Sequence, residues 1–197
     1  MFHKLAGVPK AFKNLTGTSF NDIFQLNHKR VYNLALNYVQ HTEDAEEITQ
    51  DVFIKVHREL QNFKSESSVE TWIYRIAINQ SLDFLRYKNR AKRKGFLIPL
   101  FTKRDEEETA LDIPDFNHPG IAAEKQENAK SLYAAINKLN ENQQTAFILF
   151  FVEDMPQKEV AAIMELSLKA VESLLQRAKA QLRKLLENEF DKRRINK

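Results

Sequence analysis

The 197-residue chain is 43% hydrophobic and holds only four Gly, five Pro and no Cys, enough apolar material for one large core or two small ones and little for tight turns. The missing Cys excludes disulfide scaffolds, thiolate zinc sites, iron–sulfur clusters and cysteine nucleophiles, and is compatible with a reducing cytoplasm. Thirty basic residues against 27 acidic ones leave a formal charge of +3, mild support for a polyanionic partner.

Residues 1–19 read as a tail: Lys4, Pro9, Lys10 and Lys13 interrupt it, so it has no continuous apolar stretch of the kind a secretion signal needs. No later segment approaches the uncharged length of a membrane span, and neither secretion nor membrane insertion is expected. From Phe20 the apolar residues recur at helical spacing, through Ile23, Phe24, Val31, Leu34, Ala35, Tyr38 and Val39, and predict one amphipathic helix. Ala45, Ile48, Val52, Phe53, Val56 and Leu60 form the apolar stripe of a second helix, whose acidic start suits a helix N-terminus. A third run, from about Val69 to Arg90, carries Trp72, Ile73, Ile76, Ala77, Phe84 and Leu85. Packed together, these helices would make a first small domain over residues 20–94.

The character changes at Ala91. A basic tract (Lys92, Arg93, Lys94), an apolar island from Ile98 to Phe101, the acidic run Asp105 to Glu108 and the breaks at Pro114 and Pro119 predict a flexible linker over 95–120. Helical periodicity resumes at Ile121 and continues to a second domain ending near 190. No stretch alternates as a strand does, and no repeat of fixed period occurs, so the expected fold is all-α, with two small helical domains.

Within the second domain, Pro156 to Leu182 has the proportions of a helix-turn-helix. A short helix ends near Met164, Glu165-Leu166-Ser167 turns, and a longer helix follows with Ser167 placed to cap it. Pro156 suits the start of the first helix, and Ala161, Val171 and Leu174 would pack the pair. The second helix would then expose Lys169, Glu172, Ser173, Gln176 and Arg177, donors and acceptors able to read base edges in a major groove. An ordinary helical hairpin with a solvated polar face fits the same residues.

The third run combines aromatic, polar and basic residues, the ingredients that hold single-stranded nucleic acid. Trp72 on an apolar helix is equally read as core, whereas Arg86, Lys88, Arg90, Lys92, Arg93 and Lys94 crowd six cations into nine residues, which repel one another unless an anion lies close. The acidic cluster Glu43, Asp44, Glu46, Glu47 and Asp51 lacks an accompanying Glu-x-x-His motif, so it reads as a solvated face or a protein-docking face rather than a metal site. The five histidines fall without ligand spacing, and neither a phosphate-cradling Gly-rich loop nor a Gly-x-Ser-x-Gly elbow occurs. No enzyme, metal or cofactor is expected.

The segments DAEEITQDVFIKVHREL at 44–60 and TWIYRIAINQSLDFLR at 71–86 with Phe63 ahead of them, followed by the C-terminal helix-turn-helix, resemble the sigma-70 family of RNA polymerase sigma factors, in its extracytoplasmic function (ECF) group. The resemblance covers about residues 20–94, similar to sigma region 2, and 121–187, similar to sigma region 4. It implies that Glu47, Gln50 and Asp51 dock on the β′ clamp helices of core RNA polymerase, and that the second domain meets the β flap. It also implies that Phe63, Trp72 and Asn79 serve the unstacked promoter minus-ten element, with Arg75, Arg86 and Lys88 near its phosphates. The start of the recognition helix, with Lys169, Glu172, Ser173, Gln176 and Arg177, would enter the minus-35 major groove of promoter DNA. An anti-sigma factor is the implied regulator, and the cytoplasm the implied location. The chain departs from the family pattern in having Glu172 where a basic residue is frequent, Glu165 and Ser65 where Gly is usual, and Val69 where an aromatic is common. Two other functions fit parts of the pattern: a self-sufficient DNA-binding regulator working without polymerase, and a helical adaptor.

Overall fold

The computed structural model describes residues 19–95 and 123–195, with side chains from 19–91 and 128–187. The expected tail before Ser19, the linker, and the side chains of Lys92, Arg93 and Lys94 lie outside the described residues. Every described element is helical, in two bundles.

The first bundle holds α1 (Phe20–Val39), α2 (Thr42–Glu59) and α3 (Val69–Gly95), with a single 3-10 turn at Leu60–Asn62 closing α2. Ser19 starts α1 through a reciprocal capping box: its hydroxyl accepts from the Asp22 N–H at 3.2 Å while the Asp22 carboxylate accepts from the Ser19 N–H at 3.1 Å. Gln40 stops the helix by turning left-handed, at φ 54°, and donates its N–H to the Leu36 carbonyl at 2.8 Å. Two residues later α2 begins under His41, with Glu43 and Asp44 in its first turn and His57 and Arg58 in its last, matching the helix dipole at both ends. Ser68 caps α3 by accepting from the Thr71 N–H at 3.1 Å.

The apolar stripes read from the sequence meet at the centre of this bundle. Leu34, Ala35 and Tyr38 from α1, Ala45, Val52 and Val56 from α2, and Ile73 and Ala77 from α3 are all fully buried. Sealing a leucine such as Leu34 away from water contributes about 2 kcal/mol relative to leaving it exposed. Val69, the departure from the family's aromatic, is buried at the start of α3.

The second bundle contains α4 (Ala123–Ile136), α5 (Glu141–Phe147), α6 (Gln157–Met164) and α7 (Leu168–Ile195). Asn140 caps α5, accepting from the Gln143 N–H at 2.9 Å, and the helix runs on into a wider π turn over Ile148–Val152. Pro156 precedes α6, and Ser167 caps α7 by accepting from the Ala170 N–H at 3.2 Å. Ala161, Val171 and Leu174 are buried between α6 and α7, as the helix-turn-helix pattern predicts.

The bundles pack against each other, α3 lying along α6. Polar side chains bridge their junction within a core continuous across both bundles. The Tyr38 hydroxyl donates to Thr145 Oγ1 at 2.8 Å, Asn37 Nδ2 donates to Glu153 Oε1 at 2.9 Å, and the Tyr133 hydroxyl donates to Asn37 Oδ1 at 3.0 Å. Buried polar groups require such partners, since an unpaired one costs roughly 1–3 kcal/mol.

Candidate nucleic-acid interface

The 3-10 turn after α2 and the loop that follows hold Phe63 against the first turns of α3, where its ring meets Trp72 with centroids 4.9 Å apart. Both rings are half-buried, so Trp72 is neither wholly core nor a free platform: one edge packs inward and the rest faces a cleft. That cleft, of about 300 Å³, is lined by Glu59, Asn62, Phe63, Lys64, Glu66, Ser67, Trp72 and Arg75. Ser65, in the loop forming its rim, sits in the left-handed region at φ 55°. This explains physically why glycine suits that position: a side chain there costs roughly 1–2 kcal/mol. Glu165, the other such departure, has the same backbone, at φ 55°.

Along α3 the positions 72, 75, 79 and 86 fall on one helical face leading away from the cleft. Asn79 is exposed and does not line the cleft itself. Arg75, Arg86 and Lys88 on this helix are held by carboxylates of the chain's own. Arg75 Nη1 pairs with Glu165 Oε1 at 2.8 Å, while its Nη2 and Nε donate to the carbonyls of Ala162 at 2.8 Å and Ile163 at 3.3 Å. Arg86 pairs with Asp83 at 2.7 Å and, through two nitrogens, with both carboxylate oxygens of Glu141. Hydrogen bonding to Glu141 and then Asp83 raises the Arg86 pKa, and the same Arg86 contact holds the Glu141 carboxyl below its ordinary value. Lys88 pairs with Asp44 and lies 5.7 Å from the Phe84 ring centroid. The anions that the crowded cations of α3 call for are thus supplied, at Arg86 and Lys88, from within the molecule.

On α2, Glu47, Gln50 and Asp51 are all exposed. Ile54, one turn further, is 56% exposed, which the sequence reading missed although an isoleucine outside the apolar stripe of an amphipathic helix is itself a signal. Gln50 and Ile54 border a shallow groove of about 430 Å³ completed by Phe20, Phe24, Phe53, His57 and Arg58, an apolar floor beside the acidic face. Here Phe24 and Phe53 meet edge to face at 4.8 Å.

On α7, Lys169, Glu172, Gln176 and Arg177 are exposed together. Ser173 between them is half-buried, its hydroxyl donating to the Lys169 carbonyl at 2.9 Å, and Arg177 Nε donates to the Ser173 carbonyl at 3.1 Å. These residues form one continuous polar face at the start of the second helix of the helix-turn-helix. Among the described residues no group of three or more His, Asp or Glu gathers to hold a metal ion, and no helix is long and apolar enough to cross a membrane.

The acidic groups at the junction of the bundles were not singled out from the sequence. Glu153 is the most perturbed of them: burial pushes its carboxyl up to about 7, against hydrogen bonds from Asn37 and Tyr74 and the charge of Arg30. Nothing local marks this glutamate, because its partners lie on α1 and α3.

The family model for Sigma-70 region 2 matches residues 23–91, and the model for Sigma-70, region 4 matches residues 129–182, together more than half of the chain. The RNA polymerase sigma-H factor of Pseudomonas aeruginosa is 28% identical over 84% of this chain and 84% of its own length. The ECF RNA polymerase sigma-E factor of Haemophilus influenzae is 26% identical over 87% of each. Among solved structures, the sigma factor RpoE of Bartonella quintana, crystallised with the anti-sigma factor NepR, shares the fold with a TM-score of 0.58 at 19% identity, over 85% of this chain and 96% of that one. With both regions present in order, on the helices described above, the chain belongs to the sigma-70 family, in its ECF group.

Proposed function

We propose that the chain is a dissociable, non-enzymatic promoter-specificity subunit acting in the cytoplasm: it binds core RNA polymerase, directs it to promoters by their minus-35 and minus-ten elements, and helps open the DNA. The observation that carries this reading is the pair of sigma regions in order, one presenting the aromatic cleft and the other the polar face of a helix-turn-helix. In this reading residues 20–94 form the polymerase and minus-ten domain, 95–120 the linker and 121–190 the minus-35 domain. Glu47, Gln50 and Asp51 contact the β′ clamp helices, and the apolar groove beside Gln50 extends that contact. The second domain rests on the β flap, and an anti-sigma factor is the regulatory partner.

The mechanism follows from what each face supplies. Extruding a base from the duplex costs a few kcal/mol, which stacking and hydrogen bonding in a pocket must offset. The Phe63 and Trp72 rings supply the stacking surface, at roughly 1–3 kcal/mol per base. Asn79 and the cations Arg75, Arg86 and Lys88 continue along α3 as contacts to the single strand. Lys169, Glu172, Ser173, Gln176 and Arg177 read the minus-35 duplex, and Glu172 is suited to accept from a cytosine N4 amino group.

Charge reversal on the exposed face of α2 tests the polymerase half. Gln50→Lys with Asp51→Lys should lower affinity for purified core polymerase at least about tenfold, as lost charge complementarity at an interface does, with the circular dichroism spectrum unchanged. Equal affinity would refute the assignment of that face.

A further inference from the structure

Two of the three cations assigned above to the minus-ten strand are engaged by the other bundle. Arg75 sits in a cup of three acceptors made by the end of α6: the carbonyls of Ala162 and Ile163 and the carboxylate of Glu165. A helix C-terminus carries partial negative charge, and the Glu165 carboxylate adds a full one. Arg86 is gripped by the carboxylate of Glu141 at the start of α5, both oxygens engaged, the bidentate geometry with which guanidinium also takes phosphate.

Glu165 is the telling residue. It occupies the left-handed turn of the helix-turn-helix, φ 55° and ψ 39°, where glycine would be free of the steric cost that a side chain brings. Its side chain is 70% exposed and finds its ion-pair partner in Arg75, on the other bundle. The turn therefore carries a strained residue whose carboxylate reaches across the junction.

The rest of the junction combines apolar packing with buried hydrogen bonds. Tyr38 pairs with Thr145, and Asn37 with Glu153 and Tyr133, across an apolar core that runs through both bundles. The Gln40 amide, beside these residues on α1, and Oε1 of Gln143, beside Thr145, are buried and find no protein hydrogen-bond partner among the described residues. The exposed ion pairs of Arg75 and Arg86 respond to salt, and the incompletely satisfied amides weaken the closed state.

We infer that the chain latches itself closed, with Glu165 and Glu141 of the second bundle acting as intramolecular stand-ins for promoter phosphate on Arg75 and Arg86, so that engaging the minus-ten strand requires the latch to open. This rests on the promoter-specificity reading above for what the freed cations then bind. The apparent affinity for any target of the open form is reduced by the fraction of chains that are open. Weakening the latch raises that fraction without touching a residue assigned to polymerase or DNA.

The test uses the full chain, whose lack of cysteine makes site-specific labelling direct. Nitroxides at Lys29→Cys on α1 and Lys184→Cys on α7, both exposed, report the distance between bundles by double electron–electron resonance. The double variant Glu141→Gln, Glu165→Gly removes both carboxylates and places glycine where the backbone favours it. Glu165→Gln with Glu141→Gln serves as a second version that keeps side-chain size. In both, the distances should broaden toward longer values, and affinity for a fluorescent single-stranded DNA oligonucleotide of mixed sequence should rise roughly fivefold, the scale of one lost surface ion pair upward. Unchanged distances with the helical spectrum intact would overturn the latch. Longer distances with unchanged, measurable oligonucleotide affinity would overturn its gating role. Longer distances with no oligonucleotide binding by either variant or parent would leave the closed state standing and refute the assignment of Arg75 and Arg86 to the minus-ten strand.

Discussion

Replacing Glu153 with glutamine should remove most of the pH dependence of the junction between the two bundles. The carboxyl accepts from Asn37 on α1 at 2.9 Å and from the Tyr74 hydroxyl on α3 at 3.5 Å. Burial there pushes it from the ordinary 4.5 up to about 7, with Arg30 on α1 the opposing charge. Glu159 on α6 adds a second negative charge near Tyr74, while the phenols of Tyr38, Tyr74 and Tyr133 are raised by burial and stay neutral throughout. A carboxyl raised in this way binds its proton more tightly in the packed state. Its contribution is therefore fully favourable below its unfolded value of 4.5, declines as pH climbs toward about 7, and is level above that. The full span corresponds to about 3 kcal/mol, of which about 2 kcal/mol falls between about pH 5 and pH 8. Glu141, held low by Arg86, has the opposite sign and loses its contribution only as pH falls through the acid range, outside this window. Urea unfolding of parent and Glu153→Gln across this range gives the comparison, and taking their difference cancels the histidines. The parent should lose about 2 kcal/mol relative to the variant on going from about pH 5 to pH 8. A difference that is flat with pH, or that grows in the parent's favour, would refute the burial argument.

Asn79→Ala should impair promoter opening more than polymerase binding, because this exposed amide lies on the α3 face leading from the cleft; equal permanganate reactivity of the minus-ten thymines would remove it from the site. Glu172→Ala should change the preferred minus-35 sequence at one base pair, worth roughly 1–3 kcal/mol, and a randomised-promoter selection returning the parent's motif would contradict that. Ile73→Ala, in the fully buried centre of the first bundle, should cost about 2–5 kcal/mol in urea unfolding, as large-to-small core substitutions do; a loss below about 1 kcal/mol would place Ile73 outside the core.

The local chemistry of each helix was legible in the sequence because it depends on neighbours within a turn or two. The apolar stripe from Ile23 to Tyr38 is the buried face of α1, and Ser167 caps α7 as its position before the long helix predicts. The third helix runs to Gly95 rather than ending near Arg90, since Ala91, Lys92, Arg93 and Lys94 are all good helix formers with no breaker among them. Trp72 reads from its helix as either core or platform, and its half-buried ring against Phe63 shows why periodicity does not choose between them. What the sequence does not carry is the pairing across distance. Tyr38 reads as a core residue and is one, yet its hydroxyl depends on Thr145, more than a hundred positions away. The acceptors of Arg75, the Glu141 partner of Arg86 and the partners of Glu153 likewise lie on the other bundle, and only the packing of the two discloses them.

In vitro transcription from a library of promoters of the genome that encodes the chain, with purified core polymerase and with or without this protein, tests its role as a promoter-specificity subunit most directly. Transcripts that depend on the chain, sharing two aligned upstream elements, are the predicted result. Binding to duplex DNA without polymerase, together with no chain-dependent transcript and no association with core, would contradict it and point to a self-sufficient regulator.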